Sequence, residues 1–179
     1  MAKKIIVGIG VFLLLNFVFF YYMDVFKDVV INEKNMGPYM VVYEPRIGDF
    51  KGTLDEADKV VDRLREKGFN PERRAIIYYD YTGSTPVKEW KSEVGCLVEI
   101  AEQGRKEEIK NNFNLRLLPQ GKYATAYFPY KNSLSTNIAA AKIFPELLKR
   151  KRVGTKETPI LVIFDDQRIT YLMSLEKKK

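Results

Sequence analysis

Residues 122–131, KYATAYFPYK, repeat a pattern already met 84 positions earlier in residues 38–47, PYMVVYEPRI. Superimposed, Tyr39 falls on Tyr123, Tyr43 on Tyr127 and Pro45 on Pro129. The likeness continues past the strand. Each copy is followed by a linker, a helical run, a glycine and a hydrophobic strand ending in aspartate: Gly68 with IIYYD (76–80) and Gly154 with ILVIFD (160–165). A fixed offset of this kind is the mark of an internal duplication, so the spacing predicts two strand-helix-strand-strand units in tandem. The fold class expected is α+β, a pseudo-twofold antiparallel sheet with two helices on one face.

Strand alternation assigns the faces. Tyr39, Val41 and Tyr43 share one side of the first repeated strand, and Tyr123, Thr125 and Tyr127 the matching side of the second. Ala124 and Ala126 lie opposite, where small apolar residues suit a face covered by helices. The tyrosines are expected on the other face, lining a shared central cleft where the two repeated strands meet.

Residues 5–23, IIVGIGVFLLLNFVFFYYM, carry no charge and span roughly 28 Å as a helix, against a hydrocarbon core of about 30 Å. Tyr21 and Tyr22 close the run as headgroup-level aromatics do. A cleaved signal peptide would end its shorter apolar core in small residues, and Phe19 to Met23 are not small. An uncleaved single-pass anchor is the expectation. Lys3 and Lys4 precede the span, while the segment after it carries a slight excess of acid. Residues 1–4 are therefore expected in the cytoplasm and the domain outside.

The sequence of 179 residues carries a net charge of +7, no histidine and one cysteine, Cys96. Intrachain disulfides, Cys/His zinc sites and Ser-His or Cys-His nucleophile pairs are excluded. The charge is too diffuse to announce nucleic acid, no helix-turn-helix pattern is present, and neither a metal nor a cofactor is expected.

Along the folded part, 28–33 reads as a short strand and 35–38 as a turn. Thr53 and Glu56 form a capping-box pattern ahead of Leu54, Ala57, Val60, Val61 and Leu64, with Gly68 as the stop. Strands are expected over 74–81 and 93–100, a charged helix or loop over 102–112, and a strand over 113–118. A second helix is expected over about 135–151, kinked or divided by Pro145. Strands 160–164 and 168–175 close the chain before a basic tail, 176–179. The domain thus runs 28–175, with halves at about 28–100 and 113–175.

Three motifs arrive in order and with compatible spacing: IIYYDYTGSTPVKEW (76–90) with SEVGCLVE (92–99), TAYFPYKNSLS (125–135), and FDDQRITYLMSL (164–175). Together they resemble the GyrI-like, or bacterial effector-binding and SOUL-like, small-molecule-binding domains. Within that family the membrane-anchored testis-expressed ER-phagy receptor subfamily is the most similar. The resemblance implies a ligand cleft between duplicated halves. Ligand-binding members place a glutamate in the penultimate strand, as Glu-Ile-Tyr, where it meets cations or acts in hydrolysis. Here the matching segment is Val162-Ile163-Phe164, so the usual carboxylate is replaced by Val162. A non-catalytic binding domain for a small molecule or protein partner is therefore expected, with a hydrolase of small electrophiles or a structural adaptor as alternatives.

Tyr43, Tyr79, Tyr127, Trp90, Phe164 and Val162 are the candidate cleft residues, since aromatic rings offer stacking faces to flat or cationic ligands. Asp80 and Asp165 are candidate polar cleft groups, although strand-end aspartates more often open turns. Lys149 to Arg152 lie where cations complement a helix C-terminus. Cys96 is expected as a buried apolar side chain.

Overall fold

The computed structural model describes residues 2–79, 85–99, 104–150 and 159–176. Asp80, Lys151, Arg152, Gly154 and Lys177 to Lys179 lie outside them. The order is α1 (Ala2–Tyr22), β1 (Asn32–Met36), β2 (Tyr39–Ile47), α2 (Thr53–Glu66), β3 (Pro71–Tyr78), β4 (Lys91–Val98), α3 (Lys106–Asn112), β5 (Asn114–Leu118), β6 (Gly121–Pro129), α4 (Ser133–Lys149), β7 (Ile160–Phe164) and β8 (Arg168–Ser174). Both repeated strands and both main helices stand where the duplication puts them. The fold is α+β.

All eight strands form one antiparallel sheet in the order β1-β6-β8-β7-β3-β4-β2-β5. The order reads the same through a twofold between β7 and β3 that exchanges β1 with β5, β2 with β6, and β4 with β8. Two features depart from the expectation. The halves meet at β3 and β7 and not at the repeated strands, which stand apart with four strands between them. The first strand of each half has also crossed over, β1 pairing with β6 of the second half and β5 with β2 of the first.

That exchange dictates the shape. β1 and β2 stand six places apart in the sheet, about 29 Å if it were flat, yet only Gly37 and Pro38 join them. A link of that length spans about 11 Å. Pro119 and Gln120 join β5 to β6 across the same six places. The sheet must therefore curl into a half-barrel whose edges meet at these two turns. They do meet: Gly37 has φ 85°, and a Cβ there would lie 2.9 Å from the Pro119 carbonyl. Tyr123 donates from its hydroxyl to that same carbonyl at 2.8 Å.

The helices cover the convex side. α2 packs Val60, Val61 and Leu64 on Met40, Val42, Cys96 and Val98; α4 packs Ala139, Ile143 and Leu147 on Ala124, Ala126, Tyr171 and Met173. The concave side buries Val41, Ala75, Ile77, Leu97, Leu161, Ile163 and Leu172 against one another. Cys96 is fully buried, as expected.

Local corrections have physical causes. β1 begins at Asn32 and takes in the first two residues of the expected turn, Asn35 and Met36, because its register follows β6, while Val29 and Ile31 pack on the α4 core. The Thr53 capping box does not form. Gly52 takes the cap position at φ 81°, Thr53 Oγ1 donates to the Phe50 carbonyl at 2.9 Å, and Glu56 pairs with Arg46 at 2.9 Å. A capping box forms on α4 between Asn132 and Ser135. Pro145 is carried inside one continuous helix, since it and Ala141, whose carbonyl it leaves free, both face solvent. Gly68 does end α2, at φ 76°, with the Phe69 N–H donating to Leu64.

α1 is the one helix among the described residues long and apolar enough to cross a membrane, and its side chains stand exposed.

Candidate functional site

The six candidate cleft residues divide between the two faces of the sheet. Trp90, Val162 and Phe164 lie on the convex, helix-bearing side; Tyr43, Tyr79 and Tyr127 lie on the concave side. The twin tyrosines of IIYYD show the cause. Successive strand residues face opposite ways, so Tyr78 joins the convex core while Tyr79 borders the concave cluster.

On the convex side, α2 and α4 flank the junction of β3 and β7, where Arg74 to Tyr78 pair with Phe164 to Ile160. Ile76, Val162 and Phe164 form the floor there, all at most 2% exposed. A run of rings fills the strip above: Trp90 on Phe50 at 4.6 Å, Phe50 on Tyr78 at 4.4 Å, Tyr78 on Phe144 at 5.6 Å and Phe144 on Tyr171 at 5.6 Å. The rings come from both halves and stand mostly edge to face, the favoured arrangement. Phe50, Phe144 and Trp90 are only partly buried. They form the lid of the strip, and Tyr78 and Tyr171 its body.

Few polar atoms enter this groove. Tyr78 and Thr53 place their hydroxyl oxygens 3.4 Å apart, and burial pushes the Tyr78 phenol up to about 12, offset in part by Thr53 and by the charge of Arg46. Burial likewise raises Tyr171. Ser92, opposite Tyr78 in the ladder and 2% exposed, has a buried hydroxyl with no hydrogen-bond partner among the described residues. The Trp90 indole N–H donates to the Thr85 carbonyl at 2.8 Å.

At its Phe164 end the groove borders a cavity of about 420 Å³ walled by α2, the start of β3 and the β7–β8 turn. Charges of both signs line it. Arg74 pairs with Asp58 at 3.6 Å and lies 5.9 Å over the Tyr130 ring, which meets Phe164 edge-on at 6.4 Å. Asp165 is held by Arg73 at 3.7 Å and Arg168 at 3.5 Å. It thus reaches the cavity rim as an ion-paired turn residue.

The concave trough has another character. Glu93, 8% exposed, accepts from the Tyr79 hydroxyl at 2.9 Å and from two nitrogens of Arg116 at 2.7 and 2.5 Å. Arg116 lies 5.5 Å over Tyr43 and 6.0 Å over Tyr79. Across the trough, Lys34 and Arg168 each lie 5.1 Å over Tyr127. Tyr43 and Tyr127 therefore each carry a cation supplied by an exchanged edge strand, Arg116 from β5 and Lys34 from β1. Burial and the neighbouring Glu93 raise the Tyr79 phenol. Glu93 is thus a carboxylate on the tyrosine face that was not among the candidate cleft groups, and it is held in an internal ion pair.

Sequence reasoning missed Phe50, Tyr78, Phe144, Tyr171, Glu93 and Arg116. Tyr171 and Tyr78 were within reach of strand alternation once the repeat was known. Phe50 and Phe144 came from a loop and a helix, for which the repeat specifies no partner. Among the described residues no cluster of His, Cys, Asp or Glu could hold a metal ion.

No protein-family model matches the sequence, and no curated protein does. Solved structures do. The C-terminal domain of EcmrR superimposes with a TM-score of 0.55 at 12% identity, over 84% of this chain and 99% of that one. SAV2435, solved bound to tetraphenylphosphonium, superimposes with a TM-score of 0.50 at 8% identity, over 80% of this chain and 92% of that one. The fold of this chain is the one these two structures share.

Proposed function

We propose that the chain is a membrane-anchored, non-catalytic binding domain that takes an aromatic small molecule into the groove between α2 and α4. The observation that carries this is the run of rings from Trp90 to Tyr171, contributed by both halves over the β3–β7 junction. An apolar, ring-lined strip at an interface of repeats, with few polar groups, suits ligand binding once its lid rings turn aside. The unpartnered Ser92 hydroxyl is one polar group a ligand would satisfy. The lid rings Phe50 and Phe144 have to turn aside, which places the entry beside the α2 N-terminus.

The floor residue Val162 carries no charge, so the groove favours neutral or charge-delocalised rings over compact cations. The shared fold with a protein solved on tetraphenylphosphonium supports a ligand of that shape. Absence of chemistry is supported by the pairing of the acidic side chains: Glu93 is tied to Arg116, and Asp165 to two arginines. The apolar length of α1 and the lysines before it support a single-pass anchor with the N-terminus cytoplasmic and the domain outside. The motif likeness to the anchored ER-phagy receptor subfamily extends only to a span followed by a domain; the orientation proposed here is opposite to that subfamily's, and its autophagy role is not carried over.

The test is a thermal shift of the full chain in nanodiscs with tetraphenylphosphonium and neutral triphenylphosphine oxide. Saturation at about 100 times the dissociation constant adds roughly 2.7 kcal/mol. Both compounds should raise Tm, and Phe144→Ala, which removes a lid ring, should lower the apo Tm and enlarge the ligand shift. If neither compound stabilises either protein, the groove is a closed core and the reading fails. Protease added to intact cells should digest the domain; protection would reverse the proposed orientation.

A further inference from the structure

The join between α1 and the domain is built in unusual detail. α1 ends in a Schellman turn, with the Val25 N–H donating to Phe20 and the Asp24 N–H to Tyr21, both at 3.1 Å. Asp24 fills the left-handed position, φ 56°, that glycine normally takes. The chain therefore doubles back, and the Phe26 ring comes to 5.6 Å from that of Phe17. Phe17 stands six residues before Met23 at the cap, which is about 9 Å back along the helix axis.

The domain grips this turn. Met23 is fully buried, with the Asn132 side-chain amide 3.6 Å from its sulfur. The Lys131 ammonium donates to the Tyr22 carbonyl, pairs with Asp24 at 2.6 Å and lies 4.5 Å over the Tyr22 ring. The Lys142 ammonium donates to the Val25 and Lys27 carbonyls. Lys131 thus meets the carbonyl end of α1, the negative end of its dipole, while Lys142 grips the turn beyond it. Against all this order, Phe26 remains 59% exposed and its partner Phe17 57%.

We propose that Phe26 is a second membrane-inserted group, a hook that re-enters the leaflet α1 has just left, with Lys131 and Lys142 holding the domain against the lipid surface. This rests on the anchor reading above. The acyl region is the occupant of this apolar face because Phe17, against which Phe26 packs, lies inside the uncharged run of α1. In water more than half of Phe26 stays uncovered beyond its contact with Phe17; beside α1 in lipid that surface is buried.

The test measures depth by nitroxide accessibility in the full chain in phosphatidylcholine nanodiscs. The native thiol does not interfere, since Cys96 is fully buried. Single cysteines replace Phe17, Phe26 and Val30 in turn, and the label is challenged with oxygen and with a polar nickel chelate. The label at 26 should show the oxygen-favoured ratio of the label at 17, while that at 30 favours the chelate. If position 26 reads like 30 while 17 reads as lipid-buried, the hook is wrong and the anchor stands. If 17 also reads as water-exposed, the anchor fails and the hook with it. In a Lys131→Met/Lys142→Met background the ratio at 26 should fall toward that at 30; an unchanged ratio removes the lysines from the proposal.

Discussion

Arg116 and Glu93 meet across β2, the guanidinium on the exchanged strand β5 and the carboxylate on β4, at 2.7 and 2.5 Å. The pair ties the crossed-over strand to the half it has joined. Two parallel N–H donors on one carboxylate make the strongest common ion-pair geometry.

Removing the arginine alone leaves a carboxylate only 10% exposed with Tyr79 as its remaining partner. Arg116→Met should therefore cost about 2–3 kcal/mol, the penalty of an uncompensated buried charge. Glu93→Gln in the same chain should recover part of that. Urea titration of the detergent-solubilised protein measures both, and a double variant no more stable than Arg116→Met alone would contradict the account.

Alkaline pH should weaken the fold as it rises past the unfolded values of the buried tyrosines and cysteine. Burial raises Tyr78 to about 12 and Cys96 to about 12, and raises Tyr171 as well. A raised pKa contributes stability that is intact below the unfolded value, about 10 for tyrosine and 8.5 for cysteine, and is lost as pH climbs toward the folded value. Two units for Tyr78 alone correspond to about 2.7 kcal/mol. Unfolding free energy should accordingly be flat from pH 7 to 8 and fall steadily between pH 9 and 12. A flat profile to pH 11 would show that these groups are hydrated in the folded protein.

Gly95 allows β4 to pass close to β2. A Cβ there would stand 2.0 Å from the Val42 carbonyl oxygen and 2.9 Å from the Tyr43 Cα, both rigid backbone. Gly95→Ala has to spread the ladder that connects the repeated strand to the core. A loss of at least about 3 kcal/mol is expected. A thermal melt within a few degrees of the parent would mean that β4 can shift sideways, against the pairing of Val42 with Cys96 and Tyr43 with Gly95.

The duplication was legible because Tyr39, Tyr43 and Pro45 return as Tyr123, Tyr127 and Pro129, and because alternation assigned Ala124 and Ala126 to the helix side, where they lie. The site was less so. Period 2 states which residues share a face within one strand, but strand order decides which strands meet, and order here follows from two short links whose lengths carry meaning only once β1 is known to leave its own half. For that reason Tyr43 and Tyr127 were joined too closely, and Val162 and Phe164 were placed with them though they face the helices. Thr53 shows a smaller limit of the same kind. Its capping pattern was sound locally, but Arg46, on the preceding strand β2, engages Glu56.

The crossed strands have a consequence for origin and synthesis. A single half on its own would hold its repeated strand with one edge bare and its first strand without a place, and two copies of such a half would satisfy each other by trading those strands. The present chain has the strand arrangement of such a reciprocal pair within one polypeptide. As it emerges from the ribosome, β1 has to wait for β6, whose Gly121 pairs with Met36. The first half therefore reaches its final form only after most of the second has been made.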